Sequence, residues 1–439
     1  MPRVLYLSFY FPPSRASGVY RARATANFLA GHGWDVTVFA APLSFLRDAV
    51  GSVDEKLAET IDPRVRVERP PLNQFVWTSD IRRFGRFRRQ FPQLAQALYN
   101  GTHRVFPEHY HSWGLAAVRR ALRMHAKERF DVVVATGNPF AAFAAAHVFH
   151  RLTGVPYVVD YRDAWTLDLF KDKPMFPPRH PAWAWERRVL DKASAAVFVN
   201  EALRAWHADR YPTDAAKMMI VPNGWDPDVL TSTGSDHVPS KPLRFGYVGT
   251  ITTAQPVQEM VDAFRIARAH PALSGAILDL YGHLGFFRAG NVHLTQSLNV
   301  DDEGRVGGPE TGVVYRGPVS KTEVAEVYAE ADVLVFLAGG AKYVTSGKIF
   351  EYMANGKPIV SVHAPGIAAA EVLAGYPLWF NADSLDPDDV AQAMIAAGKA
   401  AEDLTPETRA AALAHAAKFT RDGVLAPFEE KLRSLVKPR

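Results

Sequence analysis

The sequence has 439 residues and contains no cysteine. Disulfide bonds, thiolate zinc sites and cysteine nucleophiles are therefore excluded. Runs of about 18 or more consecutive apolar residues are also missing, and the first residues pass directly into a strand-like run without the features of a secretory signal. We therefore expect a soluble, cytoplasmic protein, attached at most peripherally to the inner face of a membrane.

The chain also has little excess of charge of either sign. The 50 Lys and Arg residues against 46 Asp and Glu residues leave a formal charge of only +4. Such a weak excess does not indicate a nucleic-acid partner, because only a local basic cluster would do so. Hydrophobic residues make up 48% of the chain and charged residues 22%, which is typical of a folded protein. A chain of this length predicts two domains.

Short apolar runs recur along the chain with helix-length spacing between most of them. This alternation predicts parallel, right-handed strand–helix–strand units and an α/β fold built from two doubly wound sheets. Helices are predicted over 19–30, 257–269, 321–330, 348–355 and 424–435. The nine predicted strands are 4–9, 36–39, 131–135, 157–160, 195–199, 243–248, 276–281, 333–337 and 359–362.

The pattern breaks once, near the middle of the chain. Residues 223–227 read NGWDP, and the stretch 231–240 is rich in Ser, Thr and Gly, which is typical of a linker. The sequence therefore predicts an N-terminal Rossmann-like domain over 1–225 and a C-terminal Rossmann-like domain over 226–419. We expect the last helix, within 420–439, to pack back on the first domain.

The most informative segment, 343–358, reads YVTSGKIFEYMANGKP, follows a predicted strand and opens a predicted helix. A helix N-terminus offers free N–H groups and a positive dipole end, and Gly347 lets a phosphate approach that backbone. Lys348 in the first turn is unfavourable for an isolated helix, so an anionic ligand would explain it. Glu351 lies on the same side, where it can accept hydrogen bonds from ribose hydroxyls. The alternative is an exposed ion pair on an ordinary helix.

This segment resembles the signature of family 4 retaining glycosyltransferases, in the branch with the pattern P-S-K-hydrophobic-hydrophobic-E-Y-hydrophobic-A-x-G-K-P. It differs from that pattern by one residue, near Gly347. Further landmarks match in the family's order: the opening strand and glycine loop at 6–18, TGNP at 136–139, DYRDAW at 160–165, VPNGWD at 221–226 and YVGT at 247–250. The resemblance covers nearly the whole chain and implies the GT-B architecture, in which two doubly wound Rossmann-like domains face a central cleft.

The resemblance implies that the C-terminal domain binds a nucleotide-diphosphate sugar as co-substrate, with no cofactor and no metal. Two departures stand out. Tyr343 occupies the place of the first of two family glutamates, and the stretch 250–255 lacks the usual Arg and Lys that hold the diphosphate. The candidate donor-binding residues are Gly249, Thr250, His283, Tyr343, Ser346, Gly347, Lys348, Ile349 and Glu351, of which Lys348 is also a candidate catalytic residue.

The N-terminal domain is expected to bind the acceptor, a small molecule or a lipid-linked glycan. Asp163 follows a strand and is a candidate to orient or deprotonate an acceptor hydroxyl, although it can also cap a turn. Arg21 and Arg23 suit either an anionic ligand or a solvated helix face. The candidate acceptor-side residues are Arg15, Gly18, Asn138, Arg162 and Asp163.

Segment 75–91 interleaves arginines with aromatic residues. Basic and aromatic residues together suit a membrane interface or a polyanion, so peripheral membrane contact is one interpretation. The alternative is a helix whose aromatic side chains pack inward and whose arginines, including Arg82, Arg83, Arg86, Arg88 and Arg89, are solvated.

No serine nucleophile elbow and no glycosidase-like pair of carboxylates occurs in a motif. The resemblance to family 4 implies a retaining glycosyltransferase in which the departing diphosphate helps to deprotonate the acceptor. Alternatives are a catalytically altered or inactive sugar-nucleotide-binding homologue and a sugar-nucleotide epimerase. An NAD-dependent oxidoreductase is disfavoured, because the loop after the first strand has one glycine, Gly18, where three are needed.

Overall fold

A computed structural model describes residues 1–16, 18–51, 53–78, 82, 84–228, 238–285, 288–319, 323–339, 342–382 and 384–437. Most of the predicted linker, 231–237, the start of the predicted helix 321–330, and Arg83 lie outside the described residues. The chain forms two compact units, which are Met1–Pro222 with Val424–Arg439, and Asn223–Gly423.

The first unit contains a parallel sheet whose described strands lie in the order β3-β2-β1-β4-β5-β8-β9. Its central strands are buried on both faces, as crossover helices on a parallel sheet require. A short antiparallel pair, β6 with β7, lies apart from this sheet. The strands are β1 Arg3–Leu7, β2 Asp35–Phe39, β3 Arg66–Glu68, β4 Val132–Gly137, β5 Tyr157–Tyr161, β6 Leu167–Asp168, β7 Lys173–Pro174, β8 Ala195–Phe198 and β9 Met218–Ile220.

The helices of this unit lie between its strands along the chain. A π-helical turn, Leu46–Val50, and a 3-10 helix, Pro212–Lys217, complete its described elements. The α-helices are α1 Val19–Gly31, α2 Leu43–Phe45, α3 Glu55–Glu59, α4 Arg86–Gln90, α5 Pro92–Val105, α6 His111–Lys127, α7 Ala141–Thr153, α8 Pro181–Lys192 and α9 Glu201–Arg210.

The second unit is built in the same way. Its described strands are all parallel, in the order β12-β11-β10-β13-β14-β15. Numbered from the first strand of this unit, that is the order 3-2-1-4-5-6 of dinucleotide-binding sheets. The strands are β10 Arg244–Val248, β11 Ile277–Tyr281, β12 Val313–Gly317, β13 Val333–Leu337, β14 Ile359–Val362 and β15 Trp379–Asn381.

Helices cover the second sheet and build two apolar clusters. One cluster contains buried residues of β10, β11, α10 and α15, and the other those of α12, α13, α14 and α16. Short 3-10 helices lie at Pro271–Leu273 and Pro309–Thr311. The α-helices are α10 Val257–Arg268, α11 Arg288–Ser297, α12 Val324–Glu330, α13 Gly347–Ala354, α14 Ala369–Leu373, α15 Pro387–Glu402, α16 Pro406–Ala417 and α17 Arg421–Ser434.

The C-terminal part of α17 belongs to the first unit. Trp34 Nε1 donates to Glu429 Oε1 at 2.8 Å, and Arg433 Nη2 donates to the His32 carbonyl at 3.0 Å. Both contacts fasten the last helix beside the turn between α1 and β2. The helix begins in the second unit, where the Arg421 N–H donates to the Trp225 carbonyl at 2.8 Å.

The nine strands predicted from apolar runs are all present, and the α/β fold with two doubly wound parallel sheets is confirmed. All nine are internal strands. Of the six described strands that carry no such run, β3, β9, β12 and β15 form the edges of the two sheets, and β6 and β7 form the separate pair. An edge strand is not enclosed by a neighbour on each side and needs no continuous apolar run, which is why the pattern missed them.

Candidate functional site

The order of the second sheet fixes where a ligand can bind. Strands β10 and β13 are neighbours in the sheet. The strand that follows β10 lies toward one edge of the sheet, and the strand that follows β13 lies toward the other edge. Ligands of doubly wound sheets bind outside the carboxyl ends of the strands at such a switch point. Gly249 directly follows β10, and the loop after β13 leads into α13, which carries Lys348 and Glu351.

The ammonium group of Lys348 lies against the backbone of Gly249. A Cβ atom placed on Gly249 would lie only 1.5 Å from Lys348 Nζ and 2.6 Å from its Cε. Gly249 has φ +154°, a conformation that other residues rarely adopt. The same ammonium lies 5.3 Å from the ring centroid of Tyr247, within reach of a cation–π interaction. Glycine at this position therefore makes room for the lysine.

Hydrogen bonds between side chains and backbone groups hold α13 in this position. The Tyr352 hydroxyl accepts from the Val248 N–H at 3.1 Å and donates to the Val248 carbonyl at 3.3 Å, so the helix is tied to the residue before Gly249. Asn223 Nδ2 donates to the Thr345 carbonyl at 3.2 Å and steadies the loop before the helix. Burial of Tyr352 raises the pKa of its hydroxyl, which stays a neutral donor.

The N-terminus of α13 is open to a ligand. A Cβ atom on Gly347 would meet nothing within 4 Å. Ser346 is the N-cap, and its hydroxyl accepts from the Lys348 N–H at a long 3.4 Å. Packing within the described part of the chain therefore does not require glycine here, and the glycine leaves the backbone at the start of α13 accessible.

Glu351 is held by a residue that the sequence analysis missed. The Tyr328 hydroxyl donates to Glu351 Oε2 at 3.0 Å. Buried Lys357, the lysine of the G-K-P motif, donates from Nζ to the carbonyls of Tyr328 at 2.8 Å and Ala329 at 2.7 Å. These bonds close the C-terminal end of α12, so Lys357 fixes the helix that carries Tyr328. Burial lowers the pKa of the Lys357 ammonium to about 8.

Other donor-side candidates differ in whether their polar groups are already hydrogen-bonded or exposed. The Gly249 N–H donates to the Tyr281 carbonyl at 2.7 Å and is occupied, and the Thr250 carbonyl accepts from the Tyr247 hydroxyl at 3.1 Å. His283 is exposed directly after β11 and its neighbouring glycine.

Two further donor-side candidates have buried side chains. Tyr343 is 3% exposed and Ile349 fully buried, so both side chains belong to the packed interior. The Ile349 N–H donates to the Ser346 carbonyl at 3.3 Å. The position of the first family glutamate thus holds a buried phenol, which supplies no carboxylate.

The first unit brings four of the five acceptor-side candidates together. Arg162 donates from Nε to Thr136 Oγ1 at 2.9 Å and from Nη2 to the Asn138 carbonyl at 2.8 Å. A Cβ atom on Gly18 would lie 1.2 Å from Arg162 Nη1, so this glycine makes room for the guanidinium. Burial raises the pKa of the Asp163 carboxyl above its ordinary value, while the charge of Arg162 and the Asn138 N–H act in the opposite direction.

The arginines around Gly18 do not behave alike. Arg15 is exposed. Arg21, by contrast, is buried and pairs with Asp160 through bonds of 3.0 and 2.8 Å, while its Nη1 donates to the Pro222 carbonyl at 3.0 Å. Arg23 is buried too. The alternative that Arg21 and Arg23 line a solvated helix face is wrong, because both are buried. Anion binding by either arginine stays a prediction.

Glu108 is a further carboxyl group that the sequence analysis missed. Its Oε1 accepts from the Phe140 N–H at 2.6 Å, at the N-terminus of α7. Its Oε2 is buried and has no hydrogen-bond partner within the described part of the chain. Burial raises the pKa of this carboxyl to about 8, while the N–H groups of Phe140 and Ala141 act in the opposite direction.

The Glu108 carboxyl should make stability depend on pH. The folded state holds its proton up to about pH 8, whereas the ordinary pKa is 4.5. Between these values the folded state binds more protons, so its stability falls as pH rises. We expect the free energy of unfolding of the wild type, relative to Glu108→Gln, to fall by on the order of 2 kcal/mol from about pH 5 to about pH 8. Urea denaturation of both proteins measures this, and parallel pH profiles would contradict it.

Two absences complete the description of the site. Within the described residues, no helix combines the length and the apolar character that crossing a bilayer requires. The same residues contain no group of three or more His, Asp or Glu side chains arranged to hold a metal ion.

Comparison with known proteins agrees with the fold. A family model described as a glycosyl transferase 4-like domain matches residues 18–224, and one described as glycosyl transferases group 1 matches residues 242–399. A search of curated protein sequences finds no match. The two models match the two halves of the chain separately, and the first ends at residue 224, close to the boundary between the compact units after Pro222.

Solved structures of similar fold include several glycosyltransferases. A glycosyltransferase from Rickettsia africae is 12% identical, with a TM-score of 0.66 over 100% of this chain and 99% of its own. Sucrose-phosphate synthase from Thermosynechococcus elongatus is 14% identical, with a TM-score of 0.64 over 99% of each chain. HepE from Anabaena, solved with UDP and glucose, is 15% identical, with a TM-score of 0.60 over 99% of this chain and 100% of its own.

At these identities the structures show a shared fold alone, whereas the two sequence models identify the domains. Each domain contains a doubly wound sheet, and its sequence matches a glycosyltransferase family model. Residues 18–224 are therefore a glycosyl transferase 4-like domain and residues 242–399 a glycosyl transferases group 1 domain, and the chain has the fold of GT-B glycosyltransferases.

Proposed function

We propose that the protein transfers a sugar from a nucleotide-diphosphate donor to an acceptor hydroxyl, with retention of anomeric configuration. One observation carries this proposal: the Lys348 ammonium lies against Gly249 at the switch point of the second sheet, next to the open N-terminus of α13. A cation beside a helix N-terminus is suited to a diphosphate, since a diphosphate is costly to bury without neutralising charge.

The donor side follows from these groups. Lys348 and the N–H groups at the start of α13 bind the diphosphate, and Glu351 accepts hydrogen bonds from the ribose hydroxyls. Since 250–255 supplies no Arg or Lys and the Gly249 N–H is occupied, Lys348 carries most of the neutralisation. HepE, which shares the fold, was solved with UDP, with UDP and glucose and with UDP-glucose, and this supports a nucleotide sugar as donor.

The acceptor side is assigned to Gly18, Asn138, Arg162 and Asp163, with exposed Arg15 as an outer contact. In the transfer step a bond forms between the acceptor oxygen and the anomeric carbon, and the bond from that carbon to the diphosphate breaks. The acceptor proton passes to the departing diphosphate on the same face. Asp163 orients the hydroxyl, and Lys348 stabilises the charge that develops on the leaving group.

A panel of UDP-, GDP-, ADP- and dTDP-sugars tests this function. We expect one of them to bind by calorimetry and to be hydrolysed slowly without acceptor, with NMR showing the sugar released in its original anomeric configuration. Binding without any turnover would assign the chain to non-catalytic sugar-nucleotide-binding proteins. Conversion to an epimeric nucleotide sugar would assign it to the epimerases.

Tyr328→Phe should weaken nucleotide binding without changing the chemical step. The Tyr328 hydroxyl donates to Glu351 Oε2 at 3.0 Å, and losing it frees the carboxylate to turn away from the ribose. Because the affected bond involves a charged group, we expect the dissociation constant of the nucleotide to rise on the order of tenfold, which corresponds to about 1.4 kcal/mol. The turnover number at saturation should stay close to that of the wild type.

Tyr376→Phe is the matched control. Tyr376 is also buried in the second unit, and its hydroxyl donates to the carbonyls of Lys357 at 2.8 Å and Met353 at 3.5 Å rather than to the Glu351 carboxylate. We expect this variant to lose stability but to bind nucleotide like the wild type. Equal losses of affinity in the two variants would show that Tyr328 acts only through packing.

A further inference from the structure

Helix α5, Pro92–Val105, leaves most of its apolar side chains uncovered. Of its 14 residues only Ala95 is buried. Leu94, Leu98 and Val105 are 51%, 56% and 68% exposed. At 100° per residue these three side chains fall within an arc of about 40°, so they form one stripe along the helix. A stripe of this kind marks an interaction surface, whereas single exposed apolar residues do not.

The stripe continues beyond the helix. Phe87 and Phe91, on and just after α4, are half exposed as well. Phe87 and Leu98 also line a cavity of about 670 Å³, together with Phe75, Phe84 and Tyr99. The apolar side chains thus border open space, and the described part of the chain does not cover them.

The chain segment that carries this stripe has charge of one sign, although Asp48, from elsewhere in the chain, also lines the cavity. Residues 81–107 contain six arginines and neither Asp nor Glu. Arg86, Arg89 and Arg104 are exposed. Each basic residue near an anionic bilayer strengthens binding about fivefold, so three of them together have a large effect.

Arg88, unlike these exposed arginines, packs against aromatic rings of the protein. Its guanidinium lies between two rings, 3.9 Å from the centroid of Phe75 and 3.5 Å from that of Phe84, and its Nη1 donates to the Phe75 carbonyl at 2.8 Å. These contacts fasten α4 to the preceding loop. The alternative that the arginines of 75–91 are all solvated is therefore wrong for Arg88.

We propose that the exposed face of α4 and α5 binds the surface of an anionic lipid bilayer. Aliphatic Leu and Val side chains insert favourably among acyl chains, and flanking arginines bind headgroup phosphates. A nucleic acid would use the arginines but gain little from the aliphatic stripe, since bases stack on aromatic rings. The surface lies mainly on 86–105, further along the chain than the segment 75–91 that the sequence indicates.

Vesicle co-sedimentation of the full chain tests this proposal. We expect binding to vesicles of phosphatidylglycerol and phosphatidylcholine, and little binding to phosphatidylcholine alone. Leu94→Gln/Leu98→Gln should weaken binding at least tenfold, and Arg86→Gln/Arg89→Gln should do the same and reduce the salt dependence. All four side chains are exposed, so circular dichroism and thermal unfolding should match the wild type.

Leu152→Gln is the control, because Leu152 is a 62% exposed leucine on α7, outside this surface. It should leave binding unchanged. Loss of binding in this control, equal binding to both vesicle types, or full binding by Leu94→Gln/Leu98→Gln would overturn the proposal. Binding of a single-stranded oligonucleotide that depends on the arginines alone would assign the face to nucleic acid instead. Nucleotide-sugar binding should persist in every variant, so this outcome is independent of the proposed transferase activity.

Discussion

Lys348→Ala should lower turnover about 100-fold or more while the protein stays folded. The ammonium of Lys348 is half-buried against Gly249, and in the proposed reaction it would face the charge that develops on the departing diphosphate. Removing one preorganised donor from such a site costs about 3 kcal/mol of transition-state stabilisation, which corresponds to roughly 100-fold in rate. Hydrolysis of the donor sugar identified by calorimetry measures the effect on kcat and KM separately.

The matched control for this variant is Lys399→Ala. Lys399 is an exposed lysine near the end of α15 in the same unit. Its removal changes the net charge by the same amount, so it corrects for long-range electrostatics. We expect turnover of this control within about twofold of the wild type. A folded Lys348→Ala protein with turnover equal to that of Lys399→Ala would rule out Lys348 as the diphosphate contact.

Gly249→Ala should reproduce most of the Lys348→Ala defect without touching the lysine. The added methyl would lie 1.5 Å from Lys348 Nζ, so the ammonium must leave its place. The lysine side chain is flexible and can move aside, which limits the loss of stability to the backbone cost of alanine at φ +154°, on the order of 1–3 kcal/mol. We expect at least tenfold weaker nucleotide binding by calorimetry.

Gly366→Ala separates the two effects. Gly366 also has a positive φ, +86°, but a Cβ there would meet no atom within 4 Å. It should lose stability and keep nucleotide affinity. In the double variant Gly249→Ala/Lys348→Ala the losses should not add, because the first substitution has already displaced the second side chain. Additive losses, or an unchanged affinity in Gly249→Ala, would mean that the lysine does not act from the observed position.

Much of the fold could be predicted from local patterns. Buried parallel strands need apolar side chains on both faces, so each internal strand left a readable run, and α13 begins within one residue of its prediction at Lys348. Edge strands such as β3, Arg66–Glu68, are short and half exposed, and their composition is not distinctive. The 3-2-1-4-5-6 strand order required the structure, because strand pairing joins residues far apart in the chain.

The candidate site was predictable only where its residues share a motif. Lys348 and Glu351 lie one turn apart on one helix, so spacing alone placed them together. Tyr328 meets Glu351 across 23 residues of sequence, and Arg21 meets Asp160 across 139. No periodicity links such pairs. Tyr343 was expected to contact the donor because of its place in the motif, but its phenol packs into the interior.

The exposed stripe of α5 shows that an apolar pattern visible in the sequence does not by itself predict burial. A periodic apolar face normally predicts burial, and Leu94 and Leu98 carry such a pattern. Only the structure shows that the helix buries Ala95 alone and that the leucines remain exposed. The same pattern is thus compatible with a core helix and with an interface helix, and exposure distinguishes them.

Calorimetric titration of UDP, GDP, ADP and dTDP into the wild type and Lys348→Ala tests the central claim most directly, since it needs neither the sugar nor the acceptor to be known. We predict that one diphosphate binds the wild type at a single site and binds Lys348→Ala at least tenfold more weakly. Failure of all four to bind the wild type, or equal affinity for both proteins, would contradict a nucleotide-diphosphate site at Gly249, Lys348 and Glu351.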